Sequence, residues 1–429
     1  MPNRSILAAL CGGALLAACA TPQRAPVDAA RPVAPAMPAT QSMPVVTETP
    51  VAPPATVTTA PLPPIAPVAV PAAPALPEAS TPTPSARAPF TEAQAQQLLL
   101  KLLPPKIRDR NGWADDILSA FTALRIPYEP EYFCAANAII EQESTWQGDP
   151  TVPGLPDIAW KKIGEKANEK LVPLIAVKTA LLKTSPDGRS YKARIDALRT
   201  EREMNDIFED LSADAKRLGL PFSMANPIHT GGPMQVSVAF AEAHARATPY
   251  PYARSGTIRD AVFTRRGGVY FGIAILLQYP IQYPDMLFRF ADYNAGRYAS
   301  RNAAFQAALA RVSGKRVDLD GDLLIYANGQ AVATPSDVEQ ALLGLGARLG
   351  LSADAIRRDL LTEKTMAFGD TATYRKVFAL ADAKGRPAAR AVLPQIRLVS
   401  PKITRQLTTE WFAKRVDGRY QTCLGRLGG

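Results

Sequence analysis

"PEYFCAANAIIEQESTW", residues 130–146, is an apolar run that closes on two glutamates, Glu141 and Glu143. It reads as a buried helix. At about 100° per residue, Glu143 falls on the face of Ile139, close to Ala136 and Ile140. Glu141 points the opposite way and is expected at the surface. A carboxylate among apolar neighbours is costly to ionise and keeps its proton to higher pH, which suits a general acid.

From about residue 90 the chain continues in the same manner. "FTEAQAQQLLLKLL" opens on Thr91 as a cap, and "DDILSAFTAL" follows across a proline-bearing break. "KKIGEKANEKLVPLIAVKTALLKT" and "YKARIDALRTEREMNDIFEDLSADAKRLGL" read as two charged helices joined by the turn "SPDGRS". "IRDAVFTRRGGVYFGIAILLQYP" and "PDMLFRFADYNAGRYASRNAAFQAALARV" are helical too, and Ser336 with Glu339 is expected to form a capping box. Strand-like alternation is scarce, so the fold is expected to be mainly all-α. "DLDGDLL", with Asp318, Asp320 and Asp322, has its glycine misplaced for a calcium loop and reads as a turn.

Upstream lie two different segments. Residues 1–18 carry Arg4 and an apolar run from Ile6 to Leu16, an export signal too short to span a bilayer stably. Leu16-Ala17-Ala18-Cys19 resembles the lipobox of bacterial lipoproteins, which implies acylation at Cys19. Ala20 in place of Asp implies the outer membrane, on its periplasmic side. Residues 19–89 hold 19 of the 40 prolines, and their six charges cancel. They are expected to form a disordered tether, reaching on the order of 200 Å if extended.

The formal charge of +10 therefore resides, Arg4 apart, in the helical region. An anionic neighbour such as the cell wall or lipid head groups suits it, and nucleic acid does not suit that compartment. Beyond Cys11 and Cys19 two thiols remain, Cys134 and Cys423, and an oxidising periplasm permits a disulfide without requiring one. Such a bond would fix the back of the first helix and leave the Glu143 face clear. No metal or cofactor is expected, since His229 and His244 are the only histidines and no Cys/Asp cluster accompanies them.

Three short pieces carry chemistry: Glu143-Ser144 at a helix end, Gly232-Pro233-Met234-Gln235, and Tyr293-Asn294-Ala295-Gly296. In this order they resemble the three motifs of the lytic transglycosylases of the soluble, lysozyme-like superfamily. With the lipobox and tether, the arrangement also resembles the YaiW-like proteobacterial lipoproteins. The first resemblance implies a lysozyme-like domain over 90–310, with a helical insertion at about 151–225 and a helical extension over 311–429. It implies a single glutamate, Glu143, that protonates the glycosidic oxygen and then takes the proton of the C6 hydroxyl, leaving a 1,6-anhydro end. Tyr293 would orient Glu143. Ser144, Gly232, Met234, Gln235 and Asn294 would bind the glycan strand, and the insertion would lid the groove or bind a protein partner.

Other readings of the same residues stand beside this one. Glu143 could be a buried glutamate paired with an arginine, and the glycines could serve only a turn. A muramidase that uses water would want a second carboxylate such as Asp149. A wall-binding or scaffolding lipoprotein could keep the fold without turnover.

Overall fold

The computed structural model describes residues 90–428, except 220–225, 284, 328 and 399–405. The signal, Cys19 and the tether lie outside the described residues. The described chain is mainly helical, and its strands form three antiparallel two-residue pairs.

Helix α1 (Glu92–Leu102) is capped by Thr91 and Gln94 in a reciprocal box. Helices α2 (Arg110–Leu124) and α3 (Pro130–Ser144) follow. The two long charged runs each break in two. Pro173, which has no N–H to offer a continuing helix, separates α4 (Leu155–Glu169) from α5 (Leu174–Ala180). Thr200 caps α7 (Glu201–Arg217) afresh after the short α6 (Tyr191–Asp196). The excursion closes on itself, because Thr151 bridges Thr200 and the Val152 amide donates to the Arg199 carbonyl at 2.8 Å.

A hairpin of β1 (Thr230–Gly231) and β2 (Val236–Ser237) leads through α8 (Val238–Ala247) and α9 (Ile258–Val262) to α10 (Arg265–Leu277). Thr264 caps α10, which divides a run that periodicity reads as one helix. Next, α11 (Met286–Ala295) and α12 (Ala299–Ser313) meet at Gly296, at φ +110°. Asp292 holds that corner. Only 1% exposed, it accepts the hydroxyls of Tyr279 and Tyr283 and the backbone N–H groups of Tyr298 and Ser300.

Two cores result. The first runs from α1 to α11, and the second lies between α12 and residues near Ala381. The second contains α13 (Asp337–Gly344), α14 (Gly346–Leu349), α15 (Ala353–Leu360) and α16 (Ala372–Asp382). At α13 only half of the expected box forms. Ser336 accepts the Glu339 amide, but the Glu339 carboxylate pairs with Arg357 at 2.6 Å instead of bending back. In "DLDGDLL" the Asp320 carboxylate accepts the Asp322 amide, as a turn requires.

The region 311–429 does not stay apart from the first core. Its last helix, α17 (Thr409–Gly425), packs on α3 and α11, burying Phe412, Val416 and Tyr420. Cys134 and Cys423 are bonded to each other across 289 residues, which pins α17 along α3.

Candidate functional site

Helix α3 is buried on all sides from Phe133 to Ile140, so helical phase alone does not select one glutamate. Glu141 is half-buried rather than a surface residue, with its carboxylate 3.8 Å from Arg419 Nε. Glu143 is half-buried as well. The physical cause is α17, whose Arg419 lies one turn before Cys423. The disulfide therefore brings a guanidinium to the end of α3, beside Glu141. Burial, the nearby Arg415 and both glutamates act on Arg419, and its net pKa is lowered, burial dominating.

After Ser144 the helix stops abruptly, because Thr145 and Trp146 both lie in the left-handed region, at φ +50° and +62°. Such residues cost of order 1–3 kcal/mol each and cluster where function needs them. Ser144 itself is buried, and its hydroxyl donates to the Ile140 carbonyl at 2.8 Å. That proton stays inside the helix rather than reaching toward a substrate.

The hairpin explains its own glycines. A Cβ on Gly231 would strike the Phe263 ring, and one on Gly232, at φ +73°, would sit 2.2 Å from the Val262 carbonyl oxygen. Reciprocally, Gly268 and Gly272 on α10 admit Pro233 and Met234. Pro233 and the Met234 side chain are thus locked into the core, leaving backbone as the part of Met234 that can serve a site. Gln235, at φ +49°, completes the turn.

Tyr293 crosses to this hairpin. Its hydroxyl donates to the Met234 carbonyl at 2.5 Å, so its orienting bond goes to the hairpin. Burial, and then the charge of Glu143, push the Tyr293 hydroxyl well above its ordinary range. The Tyr293 hydroxyl thus binds the Met234 carbonyl and lies within the field of Glu143, so that three separated segments converge. Gln235 follows directly in the chain, but its amide donates to Glu201 Oε2 at 3.0 Å and accepts from Thr230. Asn294 is turned elsewhere, its side-chain oxygen accepting the Thr409 hydroxyl at 2.8 Å and tying α11 to α17.

Two participants escape the sequence motifs. Glu201 opens α7 and is only 5% exposed; the box formed by Thr200 and Glu203 is the sole cue that an inward glutamate stands beside it. Arg419 could have been inferred from its position four residues before Cys423. Among the described residues, no group of three or more His, Cys, Asp or Glu is disposed to hold a metal ion, and no helix is long and apolar enough to cross a membrane.

The family model described as "Protein of unknown function (DUF1615)" matches residues 106–426. The chain belongs to this DUF1615 family. A relative from Escherichia coli (strain K12), "Uncharacterized protein YaiW", is 46% identical over 323 residues, covering 75% of this chain and 87% of that protein. The chain is therefore a YaiW-like DUF1615 protein, and the matched region contains both bonded cysteines, Glu143, the hairpin and Tyr293. No solved structure matches.

Proposed function

We propose that the protein is a lipid-anchored peptidoglycan lytic transglycosylase of lysozyme-like type, held by Cys19 at the periplasmic side of the outer membrane. What carries the reading is the bond of Tyr293 to the Met234 carbonyl, with the charge of Glu143 acting on that same buried hydroxyl, the three segments standing in the order that superfamily uses. Glu143 gives its proton to the leaving glycosidic oxygen and then receives one from the C6 hydroxyl of the same sugar, whose oxygen closes the 1,6-anhydro ring. One carboxyl suffices because no water attacks. Tyr293 holds the hairpin against the acid, and backbone groups near Met234 face the acetamido sugar.

A second reading, a wall-binding lipoprotein without turnover, is favoured by one observation. Arg419 places a cation beside Glu141 and Glu143, as a structural ion pair would. The two separate on isolated sacculi incubated with the full chain, with products read by mass spectrometry. Anhydro ends are expected, and Glu143→Gln should release them at least about 100-fold more slowly. Reducing ends would mean a hydrolase, binding without products would mean the second reading, and an unaffected Glu143→Gln would refute the role of the acid.

A further inference from the structure

A cleft of about 960 Å³ lies beyond the end of α3, between the strained Thr145–Trp146 turn, the start of α2 and the start of α10. None of the three motifs supplies its residues. Its charged wall is prearranged. Asp116, 3% exposed, accepts Arg265 Nε at 2.6 Å on one oxygen and Arg266 Nε at 2.8 Å on the other. Asp109 takes Arg265 Nη1 at 2.5 Å. Arg265 thereby pairs with two carboxylates, one of which it shares with Arg266, and lies across the Trp113 ring, 5.3 Å from its centre. Arg266 is fixed through its Nε and lies over the Tyr252 ring, 5.4 Å from its centre, and its side chain is 53% exposed. Its terminal fork is oriented without being consumed.

Lys106 and Arg108, both exposed, add positive charge to the rim. The acid left on the lining is Asp149, whose carboxyl is raised by burial and held by Thr200. On the floor Trp146 is 7% exposed, packs edge-on against Trp113 at 5.2 Å, and keeps a buried indole N–H with no acceptor among the described residues. An oriented guanidinium fork, two rim cations and a neutral N–H in want of an acceptor together match a carboxylate, which accepts two parallel bonds from an arginine.

We infer that this cleft is a carboxylate-binding site that receives the acidic peptide stem of the glycan strand. Naming the stem rests on the glycan-cleaving reading; the carboxylate preference does not.

The test is calorimetric titration of the full-length protein with a synthetic stem tripeptide, its carboxamide form, and stem-free glycan chains. The free acid is expected to bind at least about tenfold more tightly than the carboxamide, and Arg266→Ala should cost about tenfold. Because Arg266→Ala disturbs the Asp116 pair, Lys106→Glu with Arg108→Glu on the exposed rim provides a second measurement, with the same tenfold loss and an unchanged Tm. Equal affinity for acid and carboxamide, indifference to both sets of variants, or equal binding of stem-free glycan would overturn the inference. Glu143→Gln should bind the tripeptide as the natural chain does. Peptide binding without anhydro products would leave the inference standing and sink the lytic reading, whereas anhydro products without peptide binding would do the reverse.

Discussion

In the second core, Arg301 donates to the carbonyls of Glu363 and Thr365, Asn302 to that of Gly321, and Gln306 to that of Asp322. At the surface end of the first core the pattern differs, since Gln235 meets Glu201 and Arg419 meets Glu141. Side chains that bind loop backbone fix the path of the chain, and little about them can change without unfolding. Side chains that bind one another at helix ends can exchange those partners for a ligand. Thr145, Trp146 and Gln235, three of the seven left-handed non-glycine residues among those described, lie at this end of the first core. The difference is one of degree, since Tyr293 also binds backbone at Met234 and Arg357 binds the Glu339 side chain in the second core.

The corner between the two cores should break this contrast most severely. Asp292→Ala leaves two tyrosine hydroxyls and two backbone N–H groups without their acceptor, and should lower unfolding stability by about 3–5 kcal/mol. Urea denaturation measures it; a loss below about 1 kcal/mol would show that the corner does not join the cores. Burial pushes the Asp292 carboxyl up, because desolvation outweighs the pull of its donors.

Next in size is the disulfide. Replacing Cys134 and Cys423 together by serine should cost about 2–5 kcal/mol, since the bond closes a long loop. It should also loosen α17, so that in the first core Arg419 no longer holds its place beside Glu141. Hydrogen exchange in α3 and α17 should rise while exchange in α16 stays as it was; a uniform rise would mean that the cores do not respond separately.

Glycine substitutions sharpen the contrast at lower amplitude. Gly272→Ala drives a methyl to within 2.4 Å of Met234 Sδ and should cost about 1–3 kcal/mol, displacing the hairpin. Gly346→Ala in the second core meets nothing within 4 Å and should be neutral or slightly stabilising. Equal melting temperatures for the two variants would contradict the account of the hairpin's seating.

Much of this was legible in the residues. Helical periodicity gives the all-α class, Thr91 is the cap it should be, and the order of the three motifs brings Glu143 and Tyr293 near each other. Where the reading fails, long-range packing is the reason. Helical phase places Glu141 at the surface, but phase knows nothing of α17, which arrives from nearly three hundred residues away. The run from 258 to 280 looks like one helix, yet Thr264 can cap a new one, and only the packing of Gly267 and Gly268 against α9 and the hairpin selects that outcome. Ser144 and Asn294 match motif letters, but their hydrogen bonds go to Ile140 and Thr409, and no local pattern encodes those partners.

The smallest effect concerns protons. His244 is packed among Phe240, Tyr270 and Phe271 in the first core, its Nε2 3.2 Å from the Tyr270 hydroxyl. Burial, and then the charge of Arg297, lower its pKa below the ordinary 6.5. Above about pH 6.5 folded and unfolded chains both carry the neutral ring, and the residue contributes no pH dependence. As pH falls below that value the unfolded chain takes up the proton first, so stability declines until the folded value is reached. The Tm of the natural chain should therefore fall more between about pH 7 and pH 5 than that of His244→Gln. Since His244 lies in the first core, hydrogen exchange at pH 5 should accelerate in α8 and α10 before α16. Matching pH profiles for the two chains would remove His244 as a reason for the first core to yield first in acid.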